Sequence, residues 1–337
     1  MNSLTVSDLH FTEGINDSYK WDLFDWMLDE AAKHEPDEFY ILGDLFEKKD
    51  KHSSEIVNKL INGIIELSTF LPVTILKGNH DYLKPDHPFL KFLDHLNNVT
   101  FVTEPSEIGN NLWLPHTRTP EEDWKDIDFS NYEYVFMHQS LIGSVTSNFY
   151  ELNHGISPKF FRNNPDTKFY SGDIHVPQVI DIKGTPQGLT YIGTPYPVAF
   201  GDHYEGRGLI LKDEGDIEIN MPTIAKWSIV INHPEELKKI DMREDDQVKI
   251  KLELESQEAA DWPEYKKEIK QWCIDNKIHL KDLKFKVKDN LTRIQKAQGT
   301  TSKDTYKQEA PDVILKKFCE VEKLDDRIKQ EGLELLA

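Results

Sequence analysis

The stretch "PVTILKGNHD", Pro72 to Asp81, joins a short apolar, β-branched run to a glycine followed by asparagine, histidine and aspartate. A run of this kind bounded by turn residues reads as a buried strand. Two upstream runs read the same way: "SLTV", which leads into Asp8, and "EFYIL", which ends at Gly43. Helical patterns separate the three. "YKWDLFDWMLDEAAKH" sets Trp21, Phe24, Leu28 and Ala31 at helical spacing, and "SSEIVNKLINGIIELSTF" has a serine cap with Ile56, Leu60, Ile61 and Ile64 on one face. The order β-α-β-α-β predicts an α/β fold with a parallel sheet core and helices on its faces. "NVTFV", "NLWL", "YEYVFM", "LTYI" and "GLILK" supply further strands.

In such sheets the functional loops gather at the carboxyl ends of the strands. The motifs that fall there are "SDLH" (Asp8, His10), "GDLFE" (Asp44), "GNHD" (Asn79, His80, Asp81), "MHQS" (His138) and "GDIH" (Asp173, His175). An Asp-x-His pair on extended chain points both side chains the same way, so Asp8 and His10 are expected to reach one cation together. Mixed oxygen and nitrogen donors suit a divalent first-row metal. Six or seven such groups exceed the four ligands of one tetrahedral zinc, which points to two ions with Asp44 between them. Singly, each motif is weak: "GDLF" is an ordinary strand-to-helix turn, and an isolated histidine is more often a satisfied core residue. Their order, each after a strand-like run, is what carries the signal.

The chain has 337 residues, 38% apolar and 30% charged, enough for a core in two domains. No apolar run approaches the roughly 20 residues that cross a bilayer. The start "MNSLTVSDLHF" lacks a basic and apolar leader. The expectation is a cytoplasmic protein with no membrane partner. Cys273 and Cys319 form no CxxC pair, which excludes a disulfide framework or a thiolate zinc site. No P-loop is present, so any ATP-driven step needs a partner. A net charge of −20 argues against a generally basic nucleic-acid binder, although bound divalent cations supply positive charge at the point of contact.

After about Pro222 the pattern changes. "AKWSIVI", "DQVKIKLELE" and "LKFKVK" read as strands, with the helical stretch "EAADWPEYKKEIKQWCIDNK" between the last two. The expected domains are 1–222, a small α+β domain over 223–290, a polar linker over 291–309, and amphipathic C-terminal helices over 310–337.

The motif series resembles the calcineurin-type metallophosphoesterases, and within them the SbcD family, the nuclease subunit of SbcCD-type recombination complexes and their phage counterparts. The likeness covers the first 210 residues and includes "YIGTPYPVAFGD", Tyr191 to Asp202. The resemblance implies a β-sandwich flanked by helices, with the 223–290 segment as a DNA-facing capping domain. It implies a dinuclear-metal DNA nuclease, exo- or endonucleolytic, acting in repair, recombination and replication. Asp8, His10, Asp44 and His175 would bind one ion, and Asp44, Asn79, His138 and Asp173 the other. His80 would lie beside the scissile phosphate, with Asp81 orienting it. Manganese is the implied ion, with Mg²⁺ the alternative. The implied partners are DNA, an SbcC-type ATPase docked on residues 310–337, and a second copy of the chain.

Two positions depart from the family pattern. Asp173 stands where the family has histidine, and Glu47 stands where its nucleases often carry a histidine linked to handling the DNA end. A metallophosphoesterase acting on small phosphoesters or phosphoproteins, and a catalytically weakened DNA-binding scaffold, are the competing readings.

Overall fold

A computed structural model of the chain describes residues 2–147, 149–200, 202 and 206–288. Two six-stranded sheets carry the larger part of it. From edge to edge the first runs Ile217–Asn220, Arg207–Lys212, Asn2–Val6, Glu38–Ile41, Val73–Leu76 and Val99–Val102. Its last four strands are mutually parallel, as the β-α-β-α-β pattern requires. The second runs Gln178–Ile182, Thr185–Tyr191, Lys168–Gly172, Tyr134–His138, Asn111–Leu114 and Ser106–Ile108, with a parallel centre and antiparallel edges.

Side-chain alternation along the strands assembles the sandwich. Tyr40, Leu42 and Leu76 of the first sheet meet Trp113, Tyr134, Phe136 and Tyr170 of the second in one buried layer. Leu4, Val6, Phe39 and Ile41 point the other way, onto the helices Leu23–His34 and Ser54–Phe70. Trp124, Phe129 and Phe161 cover the outer face of the second sheet. The second helix begins where expected: the Ser53 hydroxyl accepts from Ile56 N at 3.4 Å. The first begins later than its pattern suggested. Ile15–Asp22 forms a 3₁₀ segment, and the α-helix starts at Leu23. The helices pack closely because Gly63 has no side chain; a Cβ there would strike the Phe24 ring.

Lys226–Ile231, Gln247–Leu254 and His279–Val287 form a three-stranded parallel sheet. The helix Trp262–Asp275 joins the last two strands, and Ile269 and Cys273 pack on Val248, Ile250 and Leu252 in a core of their own. These residues belong to one unit, Met1–Val287. The linker and helices expected over 291–337 lie outside the described residues. Among the described residues no helix is long and apolar enough to cross a membrane.

Candidate metal centre

Each site residue sits in the loop at the end of a parallel strand, or on its last residue. Asp8 and His10 follow Asn2–Val6, Asp44 follows Glu38–Ile41, and Asn79 and His80 follow Val73–Leu76. His138 closes its strand, and Asp173 and His175 follow Lys168–Gly172. The two sheets thus bring these residues to one rim. Asp8, Asp44 and His138 are all at most 2% exposed.

The backbone there is unusual. Asp8, His10, Asp44 and Asp173 all have positive φ, between 44° and 80°. Left-handed backbone costs a non-glycine residue on the order of 1–2 kcal/mol, and such strain collects where side chains must be aimed. This corrects the expectation for Asp8 and His10: they share a direction because the loop turns at both residues, and not because the chain is extended. Glycine is needed beside them, since a Cβ on Gly78 would collide with the Asp44 carboxylate.

The donor atoms fall into two overlapping groups around Asp44. Its Oδ2 lies 3.5 Å from His10 Nε2, and its Oδ1 lies 3.4 Å from His138 Nε2. On one side, His10 Nε2 is 3.1 Å from His175 Nε2 and 4.0 Å from Asp8 Oδ1. On the other, His138 Nε2 is 3.9 Å from Asp8 Oδ1 and 3.9 Å from Asp173 Oδ1. Asn79 Nδ2 donates to Asp173 Oδ1 at 2.9 Å. Three sets of donors lie within 4.8 Å of one another: Asp8, His10 and His175; His10, Asp44 and His80; and Asp8, Asp44 and His138.

Hydrogen bonds fix how the donors face. His138 Nδ1 is 2.6 Å from Leu42 O, so Nδ1 carries the proton donated to that carbonyl and Nε2 faces the carboxylates. His138 Nε2 and Asn79 Oδ1 are buried with no hydrogen-bond partner. Buried carboxylates need compensating positive charge, and the ion-pair contacts of Asp8, Asp44 and Asp173 are with histidines. Two lone-pair donors aimed into an anionic pocket of mixed oxygen and nitrogen character fit divalent cations.

The protein's own charges leave protons contested here. Burial pushes Asp8 up to about 6, against the pull of His138. Burial also works to raise Asp44, but His138, His10 and His80 outweigh it and hold the carboxyl below its ordinary range. Burial opposes a charge on His138, and Asp44, Asp8 and Asp173 overcome it, raising that imidazole well above its usual value. Burial raises Asp173, while burial and His10 lower His175.

Two neighbours were not legible from the motifs. Asp81, expected behind His80, instead accepts three backbone N–H groups: Asp44 at 3.0 Å, Leu45 at 2.9 Å and Gly78 at 2.7 Å. It fastens the loop of Asp44 to that of Asn79. The orienting partner of His80 is the main chain of Glu47, whose carbonyl lies 2.5 Å from His80 Nδ1. The Glu47 carboxylate is 3.0 Å from His10 Nδ1, off the line of a good hydrogen bond, and this contact draws its acid down to about 2. The signal was its place directly after "GDLF".

A sequence model of the family described as calcineurin-like phosphoesterase matches residues 1–177, more than half of the chain, and the chain belongs to that family. The family uses a dinuclear metal centre. The chain is 39% identical over 85 residues to UDP-2,3-diacylglucosamine hydrolase of Shewanella pealeana, a match covering 25% of this chain. The matched part spans about a third of that relative, 34% of its length. Among solved structures it is similar to a nuclease MPE of Pseudomonas putida, with a TM-score of 0.31, 15% identity, 62% of this chain and 84% of that one covered. A dimetal phosphatase of Danio rerio aligns with a TM-score of 0.39, 9% identity, 65% and 98% coverage.

Proposed function

We propose that this phosphoesterase is the nuclease subunit of an SbcCD-type complex, hydrolysing DNA phosphodiesters with two Mn²⁺ ions. The observation that carries the two-ion reading is Asp44, whose two oxygens face His10 and His138 separately. Asp8, His10, Asp44 and His175 would hold one ion, and Asp44, Asn79, His138 and Asp173 the other. When bound, such a pair of ions supplies a hydroxide nucleophile and neutralises the phosphate.

The chain's own residues do the rest. The His80 N–H bond to Glu47 O leaves the other ring nitrogen to meet a phosphate oxygen or protonate the leaving oxygen. Its ring stands 4.9 Å from that of His10 and nearly perpendicular to it, at the same rim. Asp81 holds the loops of Asp44 and Asn79 at a fixed separation.

DNA as substrate is supported by the motif series and by the three-stranded sheet. Its register puts Lys249, Lys251, Lys284 and Lys286 on one face with Glu253 and Asp282. Lys251 pairs with Glu253 at 2.6 Å and Lys284 with Asp282 at 2.7 Å, which leaves the face a small positive excess in a chain of net charge −20. An ATPase partner, a second copy of the chain and a cytoplasmic setting belong to the same proposal. The test is incubation with Mn²⁺ and linear double-stranded DNA, single-stranded DNA or bis-p-nitrophenyl phosphate. DNA cleavage is expected. Hydrolysis of the small ester but never of DNA, with or without an SbcC-type ATPase, would favour a small phosphoester as substrate.

A further inference from the structure

In the loop Asp8–His10, where Asp8 and His10 have positive φ, two backbone carbonyls are met by buried side chains. The Tyr196 hydroxyl donates to Leu9 O at 2.5 Å, and the Lys20 ammonium donates to His10 O at 2.6 Å. His10 N donates to Asp44 O at 2.9 Å, so the backbone of this residue is held on both sides. Lys20 is 1% exposed, with its ammonium 5.4 Å from the centre of the Tyr196 ring. A lysine is seldom so deeply buried, and the reaction proposed above does not use this one.

Lys20 arrives on the 3₁₀ segment Ile15–Asp22, whose helical geometry breaks at Asp17. That residue is tied at both carboxylate oxygens. Thr12 Oγ1 donates to Asp17 Oδ2 at 2.8 Å, and Lys226 Nζ donates to Asp17 Oδ1 at 3.1 Å. Lys226 is the first residue of the three-stranded sheet; it is 6% exposed and also donates to Val198 O at 3.2 Å. Contacts therefore run from the small sheet through Lys226 to Asp17, and from Lys20 to the carbonyl of His10; Asp17 and Lys20 lie three residues apart on the same 3₁₀ segment and attract each other by charge.

We propose that Lys20 is a positioning residue that holds His10 in its ligating conformation, and that the Asp17–Lys226 pair sets Lys20, so that the three-stranded sheet is coupled to the metal centre. An ion pair of this kind adds little net stability over an apolar pair; what it supplies here is a fixed place for the Asp17 carboxylate. A ligand held from behind binds its metal more tightly, and losing such support typically costs about 10–100-fold in affinity. The inference rests on the two-ion reading of the site.

The test is calorimetric titration of the full chain with MnCl₂, beside thermal unfolding in EDTA. The variants are Lys20→Met, Asp17→Asn, Lys226→Met and Lys226→Arg. The methionines keep the aliphatic length and remove the charge. In Lys20→Met and Lys226→Met, one of the two Mn²⁺ steps should weaken by about tenfold while the other stays close to wild type. The metal-free unfolding temperature should fall, because each methionine leaves an acceptor unpaired, and the titrations are run below it, where each variant is folded. Lys226→Arg should retain the wild-type affinity. If Lys20→Met does not fold, Asp17→Asn and Lys226→Met decide. Folded variants of both with unchanged stepwise affinities would overturn the proposal. A wild-type chain that binds no Mn²⁺ would instead overturn the two-ion reading, and this proposal with it.

Discussion

The side-chain amide of Asn79 donates to Asp173 Oδ1 at 2.9 Å, which leaves Asn79 Oδ1 buried and without a partner. The aspartate thus orients the asparagine as well as standing beside His138. A histidine at 173 would add a neutral nitrogen donor and remove this carboxylate acceptor. The pocket with aspartate is more anionic and richer in hard oxygen donors, which favours Mg²⁺ or Mn²⁺ over Zn²⁺. Asp173→His should shift the relative affinity toward Zn²⁺ by roughly tenfold or more, read by competitive metal titration. An unchanged metal preference would contradict this role for Asp173.

Asp81 is 3% exposed and accepts from three backbone N–H groups. In Asp81→Ala those donors lose their acceptor, at a cost of about 1–3 kcal/mol for each group left unsatisfied. The metal-free protein should unfold at clearly lower denaturant concentration. Mn²⁺ affinity should fall with it, because the loops of Asp44 and Asn79 are no longer fastened. Equal denaturation midpoints for wild type and variant would show that the loops hold without it.

Gly63 allows two helices to touch far from the metal centre. Gly63→Ala would press a methyl group into the Phe24 ring, and overpacking of this kind costs about 1–3 kcal/mol. The unfolding free energy from chemical denaturation should drop by that amount, while Mn²⁺ affinity measured under folded conditions stays the same. A loss of metal affinity without a loss of stability is not expected.

Tyr82 Oη is 2.8 Å from His116 Nδ1, and burial, with a contribution from His138, pushes His116 down to about 3. The folded state keeps this imidazole neutral, whereas an unfolded chain protonates it near 6.5. Its contribution to stability is therefore full above about pH 6.5 and is lost as the pH falls toward about 3. His116→Gln should make stability in EDTA less steep between pH 7 and 4. An identical slope in the variant would remove His116 from the account of acid sensitivity.

What the sequence showed and hid follows from where the information lies. Apolar runs such as "EFYIL" and "PVTIL" announced the central strands because buried parallel strands are apolar on both faces. The edge strands Ser106–Ile108, Gln178–Ile182 and Ile217–Asn220 are short or polar and gave no such signal. The donors at the rim were legible because each falls just after a strand-like run. The groups that hold them were not. Asp81 reaches the backbone 36 and 37 residues away, and Lys20 serves His10 from inside the core, where composition gives no reason to look for a lysine. Glu47 looked like a missing histidine; the fold makes its main chain the partner of His80 and puts its carboxylate beside His10.

The central claim is that Asp44 lies between two cations. Its most direct test is the Mn²⁺ stoichiometry of the wild-type chain and of Asp44→Ala, measured by equilibrium dialysis with elemental analysis, alongside phosphodiester turnover. The account predicts two ions per wild-type chain, weakened binding at both sites in the variant, and turnover lowered at least about a thousandfold, as expected when a group shared by two catalytic ions is removed. A single ion per wild-type chain, or two ions and full turnover in Asp44→Ala, would contradict it.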